Sequence, residues 1–401
     1  MTRRLNTQFA RLNLKNPIIV GSGPITDTYD KIRRAEDAGG AAVITKSIGA
    51  HEETSLAPTD QRRYQWIRGF GLHLKSTYRM EILSLDRGVE LVRQSAESCD
   101  IPIIASVFYP ALETEGDIEK WESILRALEA AGASALQLDF FYIDLRKLSD
   151  SRIDFFAAAI ERLARTVSIP VVPKLNVGMD HDLIARLCGL PRIEGLVLID
   201  SIKSEPLIDP SRNGAPLYAG QLYVDGRPTS VVTGEPLLHY TFSYTQRIGR
   251  LTSLPICSGG GLSRSSDVLQ CLMLGASAVH FTSHLIRNGL GCIGSICSAI
   301  EDHMSRWNIP SLDRLIGSAM VQDGSPSNRY VKELPATEQR VRLDVSQCTH
   351  CGLCERLGVC NSFIAYPYQF EDHCDGCGFC INICPPRALV MEPIASKKWP
   401  T

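Results

Sequence analysis

The chain has 401 residues, 44% of them apolar, and a formal net charge of −2 at neutral pH. This length allows more than one domain with a sizeable core, and the near-neutral charge excludes a bulk electrostatic footprint for nucleic acid. No apolar run is long enough for a membrane helix, and the polar segment 1–8 lacks the apolar region of a signal peptide. We therefore expect a cytoplasmic protein.

Residues 15–285 repeat one unit, a short apolar run followed by a turn and an amphipathic stretch. The eight runs lie at 17–21, 41–46, 102–107, 135–140, 170–175, 195–200, 255–259 and 278–283. Odd-numbered runs open with Pro, which the first residue of a strand tolerates, and even-numbered runs follow Gly, which suits a helix end. Runs without polar alternation are typical of strands buried on both faces. The pattern predicts an α/β fold, a (β/α)₈ TIM barrel over residues 1–320, with an open doubly wound sheet as the alternative.

Two connections in this region are long. Residues 47–100 follow the second run and residues 201–253 follow the sixth, so both leave the ends of strands where barrels build active sites. They are either lids or surface decoration. Residues 286–320 are predicted to be packing helices, and residues 321–340 a linker to a second domain at 341–401.

Cysteines are concentrated in that second domain. Of 14 in the chain, eight lie between positions 348 and 384. Such a local cluster in a large chain indicates metal ligation in a reducing compartment rather than a disulfide framework. The spacing Cys-x₂-Cys-x₂-Cys-x₃-Cys-Pro at 374–385 is that of a bacterial ferredoxin, in which the fourth Cys ligates the other cluster. We predict a small α+β ferredoxin-like domain with two [4Fe–4S] clusters; a zinc site is the alternative.

The usual exchange of the fourth cysteine divides the ligands into two groups. The first group is Cys348, Cys351, Cys354 and Cys384. The second group is Cys374, Cys377, Cys380 and Cys360. The gap before Cys360 is longer than usual, which makes it the least regular ligand. His350 and His373 lie beside ligands and are expected to be ordinary surface residues.

Polar residues at the ends of the barrel runs carry the next signal. Lys46 ends the second run and Lys174 lies in the fifth, where an ammonium is costly to bury unless it is paired. At a barrel mouth it can stabilise the anionic reduced ring of a flavin; a structural, salt-bridged Lys is the alternative. The glycines 259–261 end the seventh run and the Thr-Ser pair 282–283 ends the eighth, where barrels frequently bind phosphate.

Together these features resemble the class 1 dihydroorotate dehydrogenase barrels. The barrel-then-ferredoxin order resembles more closely the flavin and iron–sulfur portion of dihydropyrimidine dehydrogenase. The resemblance covers nearly the whole chain and includes the segments 16–23, 45–47, 173–174, 258–261 and 274–276 and the cysteine runs. It implies an oxidoreductase that acts on a CH–CH group and binds FMN. The implied FMN contacts are Gly21, Ser22, Lys46, Ser47, Lys174, Gly260, Gly261, Thr282 and Ser283, with Lys46 and Lys174 also taking part in catalysis.

The substrate side departs from that family. Where the family has a Cys or Ser that handles the substrate proton, this chain has Tyr142, our candidate proton donor. Asp139 stands in the family's Asn-bearing segment after the fourth run, and Asp200-Ser201 replaces an Asn-Thr pair. His73 lies in a loop that has lost its Asn. Because carboxylates accept hydrogen bonds but cannot donate them, these candidate substrate residues predict a substrate that is not a pyrimidine.

Several residues have weaker or competing interpretations. Asp144 and Lys75 are further candidates for acid–base chemistry, and His280 in the eighth run is expected to be a core histidine. Tyr142 is alternatively an aromatic packing residue beside Phe140 and Phe141.

The predicted mechanism is an electron relay. Electrons would pass between FMN and the two clusters and reach the chain from a ferredoxin or an NAD(P)H-oxidising flavoprotein subunit, since it has no G-x-G-x-x-G signature of its own. The flavin would then reduce an activated C=C bond of a small molecule beside a carbonyl, or oxidise the saturated counterpart. The alternatives are a non-catalytic electron-transfer subunit, favoured if Phe140 or Phe141 plugs the pocket, a diverged dihydropyrimidine or dihydroorotate dehydrogenase, and a redox-sensing regulator. A homo-oligomer is compatible with the sequence.

Overall fold

The chain divides into two compact units, Met1–Met320 and Val321–Thr401. The structure, a computed structural model, describes a defined set of residues. These are 3–49, 64–67, 73–76, 82–141, 143–199, 201–204, 208–216, 222–224, 227–320, 339–356, 360, 363–364, 369–370, 374 and 376–393. Within this part of the chain, no helix is both long and apolar enough to cross a membrane.

The first unit is a closed barrel of parallel strands, which confirms the predicted fold class. Its strands are β1 (Ile18–Val20), β2 (Ala42–Ile44), β3 (Ile103–Phe108), β4 (Ala135–Asp139), β5 (Val171–Leu175), β6 (Leu196–Leu198), β7 (Ile256–Gly259) and β8 (Ala278–Phe281). Each strand pairs in parallel with the next, and β8 pairs with β1 to close the barrel. The short strands Ile48–Gly49 and Leu83–Ser84 extend the sheet beside β3.

Prolines precede strands and glycines follow helices in this repeat, as the sequence predicts. The four prolines directly precede odd-numbered strands, and their carbonyl oxygens still accept: Pro17 from the N–H of Val279, and Pro102 from that of Val43. A missing N–H is tolerated at that position. Gly132 follows a helix at a φ of 97°, a backbone conformation that a side chain would disfavour.

Helices follow the strands around the barrel. They are α1 (Tyr29–Asp37), α2 (Leu85–Ser98), α3 (Glu115–Ala130), α4 (Asp150–Arg165), α5 (His181–Cys188), α6 (Leu238–Leu251), α7 (Ser265–Met273), α8 (Ser283–Asn288), α9 (Cys292–Arg306) and α10 (Leu312–Leu315). Short 3₁₀ segments lie at Arg3–Leu5, Pro210–Arg212 and Glu235–Leu237. Thr114 and Asp117 form a reciprocal capping box that fixes the start of α3.

The barrel interior has an apolar lower layer. Inward-facing residues of the strands pack with a hairpin, Thr7–Phe9 and Leu12–Leu14, and not with the outer helices. Phe9 is fully buried, and a Cβ at Gly195, near the start of β6, would meet its ring. The hairpin therefore closes the end of the barrel where the strands begin, which leaves the opposite end for a site.

The two long connections after β2 and β6 meet in one antiparallel sheet. Strand Arg227–Gly234 pairs with His73–Ser76 on one side and with Ile202–Ser204 on the other, and His73–Ser76 also pairs with Tyr64–Ile67. Leu222–Val224 pairs with Arg227–Gly234 as well. A separate small hairpin joins Ile208–Asp209 to Ala215–Pro216. Since both connections leave the carboxyl ends of barrel strands, this sheet belongs to the mouth of the barrel.

The second unit contains two short antiparallel sheets. Gln339–Leu343 pairs with Leu389–Pro393, and Phe363–Ile364 with Gln369–Phe370. The first strand begins near the end of the predicted linker 321–340, of which residues 321–338 lie outside the described residues. A 3₁₀ segment, Cys354–Arg356, and helix α11 (Phe379–Ile383) complete the unit, and Val341, Cys380 and Leu389 form its small core.

Candidate active site and metal centres

Charged and polar side chains occupy the upper layer of the barrel interior. Lys46, Asp139, Lys174 and His280 each follow an inward-facing apolar residue of their strand by two or four positions. Because side chains alternate between the faces of a strand, Asp139, Lys174 and His280 point into the barrel near its mouth, and Lys46 lies two residues after the end of β2. All four are nearly buried, with 8%, 3%, 8% and 8% of their surfaces exposed. The structure thus brings together two residues predicted for the site, Asp139 and Lys174, and the histidine expected in the core.

Two of these groups are neighbours across the sheet. Asp139 on β4 lies directly beside Lys174 on β5 in the parallel register. The carboxylate of Asp139 also accepts from the Ser47 hydroxyl at 3.1 Å and from the Phe141 backbone N–H at 3.1 Å. Asp139 therefore joins the ends of strands β2 and β4 to each other.

A cavity at the mouth collects most of the residues predicted to bind phosphate. It contains about 520 Å³ of space, part of it open to solvent. The predicted residues that line it are Ser22, Lys174, Ser201, Gly260, Gly261, Thr282 and Ser283. Residues not predicted for the site also line it: Ile199, Thr233, Gly234, Leu237, Leu262, His280, Phe281 and His284. Lys46, Ser47 and Asp139 are buried nearby but do not line this cavity.

Close packing requires glycine at several positions of the cavity wall. A Cβ at Gly261 would lie 2.7 Å from the carbonyl oxygen of Gly234, and one at Gly21 would lie 2.4 Å from Thr282 Oγ1. Gly260 and Gly261 also have φ of 108° and 81°, which side chains rarely adopt. The glycines thus allow this wall of the cavity to pack closely against the residues around it.

The Thr241 hydroxyl, on α6, holds the glycine segment 259–261 in place. Its oxygen is 3.0 Å from the carbonyl oxygen of Gly259 and 2.6 Å from that of Gly260. This role could not be predicted from the sequence, since a threonine within a helix has no distinguishing pattern. His280 is similarly held, with Nε2 2.7 Å from the carbonyl oxygen of Leu198.

His284 is a further cavity residue that the sequence reasoning missed. Burial lowers its pKa, and the charge of Arg287 acts in the same direction. Both effects favour the neutral ring. Asn288 Nδ2 lies 3.1 Å from His284 Nδ1. An amide nitrogen donates, so Nδ1 accepts and the ring proton is on Nε2. A neutral imidazole of this kind can donate one hydrogen bond.

Some candidate substrate residues lie outside the described part of the chain. Tyr142 and Asp200 lie outside the described residues, as do the side chains of His73 and Lys75. The backbone of His73 is nevertheless paired with Gly234, which lines the cavity. Asp144 is exposed and bonded to Arg146, away from the buried layer.

Phe140 does not plug this cavity. It is fully buried on the outer side of the barrel against Trp121 of α3 and Phe156 of α4, with ring centroids 5.7 Å and 5.1 Å away. Phe141 is buried too, and it is not among the residues that line the cavity. A Phe140 ring inside the cavity would have favoured a non-catalytic electron-transfer subunit. The position of Phe140 outside the barrel does not.

The structure shows which cysteines of the second unit are neighbours. Cys348, Cys351, Cys354 and Cys384 line one cavity of about 390 Å³ together with His350. In the other group, burial raises the pKa of the Cys380 thiol to about 11, and the nearby thiols of Cys360, Cys374 and Cys377 raise it further. No three His, Cys, Asp or Glu side chains in the described part of the chain are arranged to hold a single metal ion.

Comparison with known proteins supports the same division of the chain. Residues 367–390 match a 4Fe-4S binding domain, and this match includes Cys374, Cys377, Cys380 and Cys384. A closed parallel barrel followed by this domain defines an iron–sulfur oxidoreductase. The predicted ferredoxin-type segment is thereby confirmed.

The chain is similar over most of its length to dihydropyrimidine and dihydroorotate dehydrogenases. It is 23% identical over 96% of its length to the NAD-dependent dihydropyrimidine dehydrogenase subunit PreA of Escherichia coli K12, covering 86% of that protein. It is 22% identical to the chloroplastic dihydropyrimidine dehydrogenase (NADP(+)) of Arabidopsis thaliana, over 82% of this chain and 80% of the relative. The catalytic subunit of dihydroorotate dehydrogenase B (NAD(+)) from Thermoplasma acidophilum is 23% identical over 79% of this chain and 99% of its own. These matches confirm the resemblance and the oxidoreductase class predicted from the sequence.

Proposed function

We propose that the chain is an FMN- and iron–sulfur-dependent oxidoreductase that acts on a C=C or CH–CH bond beside a carbonyl. Electrons would be relayed through two [4Fe–4S] clusters, and the substrate would not be a pyrimidine. The observation that carries the proposal is the convergence of Ser22, Gly260, Gly261, Thr282 and Ser283 on one cavity with Lys174.

The cavity wall fits the phosphate end of FMN. Gly260 and Gly261 line the cavity at positive φ, and their backbone N–H groups would be the donors to the phosphate. The hydroxyl groups of Thr282 and Ser283 would add donors from the neighbouring strand end. Gly21 fits here too, because its lack of a side chain leaves room for Thr282 Oγ1.

The buried lysines fit the ring of FMN. FMN supplies hydride transfer and converts between one- and two-electron steps when it is bound. Lys46 and Lys174 bring two ammonium groups to a nearly buried layer, where electrostatic interactions are stronger than in water. Their role would be to stabilise negative charge on the reduced ring, and Lys46 would lie with Ser47 at the end of β2.

The cysteine groups support two clusters with the exchanged fourth ligand. The shared cavity of Cys348, Cys351, Cys354 and Cys384 joins the last cysteine of one run to the first three of the other. Thiolates in this number and spacing suit iron–sulfur clusters. Cys374, Cys377, Cys380 and Cys360 would hold the second cluster.

The substrate proposal follows from hydrogen-bond chemistry. A pyrimidine ring offers amide groups that both donate and accept, and an Asn side chain can meet both. Asp139 accepts from Ser47 and Phe141 and has no proton to donate as a carboxylate. With Asp200, Ser201 and His73 as the other candidate contacts, a pyrimidine would leave polar groups unmet, which discriminates strongly. Tyr142 would donate the proton to the carbon beside the carbonyl.

An electron partner completes the proposal. Two of the relatives are named as subunits, of NAD-dependent and NAD(+) dehydrogenases. By analogy, an NAD(P)H-oxidising flavoprotein subunit or a ferredoxin would exchange electrons with this chain. The partner is expected to contact the cluster-bearing unit, because that unit carries the cysteines.

The test is anaerobic purification followed by cofactor analysis and a substrate screen. We expect FMN, iron and acid-labile sulfide to be released on denaturation. The chemically reduced flavin should be reoxidised by members of a panel of α,β-unsaturated carbonyl compounds and not by uracil, thymine or orotate. Protein without FMN or iron would overturn the cofactor assignment, and reoxidation by a pyrimidine would overturn the substrate assignment.

A further inference from the structure

Four polar side chains form a continuous path inside the barrel, next to the mouth. Gln137 Nε2 lies 3.0 Å from Ser106 Oγ, and Ser106 Oγ lies 3.4 Å from Ser47 Oγ. Ser47 Oγ in turn lies 3.1 Å from Asp139 Oδ2. Gln137 and Ser106 are fully buried, with no exposed surface. None of the residues in this path lines the cavity; Asp139 connects the path to it, because Asp139 is paired with Lys174, which does line the cavity.

The strand register explains why these four residues meet. Gln137 on β4 is paired with Ser106 on β3. Ile48 is paired with Val107 of β3, which brings the preceding residue, Ser47, beside Ser106. Asp139 follows Gln137 by two positions and so points to the same inner face. The path therefore runs across three adjacent strand ends.

Only one assignment of donors and acceptors satisfies all the hydrogen bonds of this path. The carboxylate of Asp139 can only accept, so the hydroxyl proton of Ser47 is directed to Asp139. A hydroxyl has one proton, so Ser106 is the donor to Ser47. Gln137 must then donate its amide N–H to Ser106. Every donor thus points towards Asp139, and the amide orientation of Gln137 follows from the same constraint.

The Ser47 hydroxyl is left with one unused acceptor site. A serine hydroxyl has one donor and two acceptor sites. Asp139 takes the donor, and Ser106 takes one acceptor site. The remaining site is a lone pair. A group bound beside Ser47 would meet an acceptor rather than a donor.

Stability alone does not explain Gln137. Its Oε1 atom is buried and has no hydrogen-bond partner among the described residues. A buried polar atom without a partner costs about 1–3 kcal/mol. An apolar side chain of similar length would remove that cost, so the amide is better explained by what its N–H does for Ser106.

We propose that Gln137 and Ser106 are positioning residues that act through Ser47. They fix the hydroxyl of Ser47 so that it donates to Asp139 and presents a lone pair to an N–H group of bound FMN. This inference rests on the proposed function, since it requires FMN at the barrel mouth. The reduced isoalloxazine ring has more N–H donors than the oxidised ring, so a fixed acceptor favours reduction. A substitution that holds the Ser47 hydroxyl less firmly should therefore lower the flavin midpoint potential.

The test is a double-mutant cycle on the midpoint potential of the FMN-loaded full chain. Ser106→Ala should shift the flavin reduction equilibrium by at least tenfold towards the oxidised form, which is about 30 mV for a two-electron couple. Ser47→Ala should have a similar or larger effect. In the Ser47→Ala background, Ser106→Ala should add nothing, because its effect requires the Ser47 hydroxyl.

Gln137→Met provides a second variant with nearly unchanged volume. It should lower the potential in the same direction while leaving the folded fraction, measured by far-UV circular dichroism, equal to or higher than that of the wild type. Unchanged potentials in both Ser106→Ala and Gln137→Met, or additive effects in the cycle, would overturn the inference alone. Wild-type protein that binds no FMN would overturn the proposed function and this inference together.

Discussion

His73 lies directly opposite Gly234 in the antiparallel sheet at the barrel mouth, and Gly234 lies against Gly261 of the cavity wall. The connection after β2 is thereby joined to the connection after β6 at the cavity. The two loops, which are far apart in sequence, form one sheet beside the cavity. A change in the backbone at Gly261 should therefore displace both loops.

Gly261→Ala should weaken FMN binding. The new Cβ would lie 2.7 Å from the carbonyl oxygen of Gly234 and 2.8 Å from the backbone nitrogen of Leu238, so the backbone must move. We expect at least ~10-fold weaker binding, which corresponds to about 1.4 kcal/mol. Reconstitution of the flavin-free protein with FMN, followed by fluorescence quenching, measures the dissociation constant.

Gly214→Ala is the matched control. Gly214 has a φ of 79°, close to the 81° of Gly261, and a Cβ there would meet nothing within 4 Å. It has the same unfavourable backbone conformation without the collision. Equal losses of FMN affinity in both variants would show that packing of the cavity wall at Gly261 does not determine FMN binding.

Lys174→Met should lower the flavin midpoint potential. It replaces an ammonium at the barrel mouth with an apolar chain of similar length, so negative charge on the reduced ring would lose a stabilising partner. We expect a shift of at least about 30 mV, a tenfold change for a two-electron couple. Titration against a reference dye measures it, with Lys120→Met on the exposed side of α3 as the control. A potential equal to that of the wild type would contradict the proposed role.

Tyr142→Phe should separate binding from turnover. If Tyr142 donates the substrate proton, the variant should retain FMN and slow reoxidation of the flavin by substrate at least ~10²-fold. Stopped-flow absorbance of the flavin measures the rate. The pH dependence of the wild-type rate should be lost in the variant. An unchanged rate would assign Tyr142 to aromatic packing.

Cys354→Ser and Cys380→Ser should each remove one cluster. One residue comes from each predicted group, so each variant should contain about 4 rather than about 8 iron atoms per chain. Iron and sulfide analysis after anaerobic purification tests this, and Cys292→Ser in the barrel unit should keep the wild-type content. Loss of all iron in one variant and none in the other would contradict the two groups, and bound zinc would favour the alternative.

Glu122→Gln should change how stability depends on pH. A hydrogen bond from Arg162 lowers the pKa of Glu122, and Thr166 and Arg126 act in the same direction against the effect of burial. Because the folded-state pKa is lowered, this stabilisation is fully present above the unfolded value of about 4.3 and is lost as pH falls through the folded value. The variant should therefore be less stable by ~1–3 kcal/mol at pH 7 and by less at pH ~3.5.

Urea unfolding followed by circular dichroism at the two pH values measures this difference. Glu119→Gln, an exposed change of the same charge on α3, is the control. A destabilisation of Glu122→Gln that is equal at both pH values would contradict the assignment.

The sequence predicted the barrel because each strand is a short, continuous apolar run with its own local markers. The N-terminal hairpin was missed for a local reason. Its turn places Ala10 and Arg11 at φ of 47° and 61°, where Gly or Asn would have given a recognisable signal. The backbone conformation is set by burial of the hairpin in the barrel end rather than by the turn residues.

The site was predictable only where residues have a fixed place in the repeat. Gly260, Gly261 and Thr282 follow strands, so their convergence could be anticipated. Thr241 and the path from Gln137 to Ser47 could not, since they depend on which residues lie opposite each other across strands and helices. Cross-strand register is a property of the folded sheet and leaves no mark on a single chain segment.

The pairing of Arg227–Gly234 with His73–Ser76 also constrains how this mouth can be re-engineered. Inserting or deleting one residue in either strand would turn every following side chain to the opposite face. Directed evolution of substrate preference should therefore diversify both strands in one library at fixed length. Length-varied libraries of a single loop should return mostly unfolded clones.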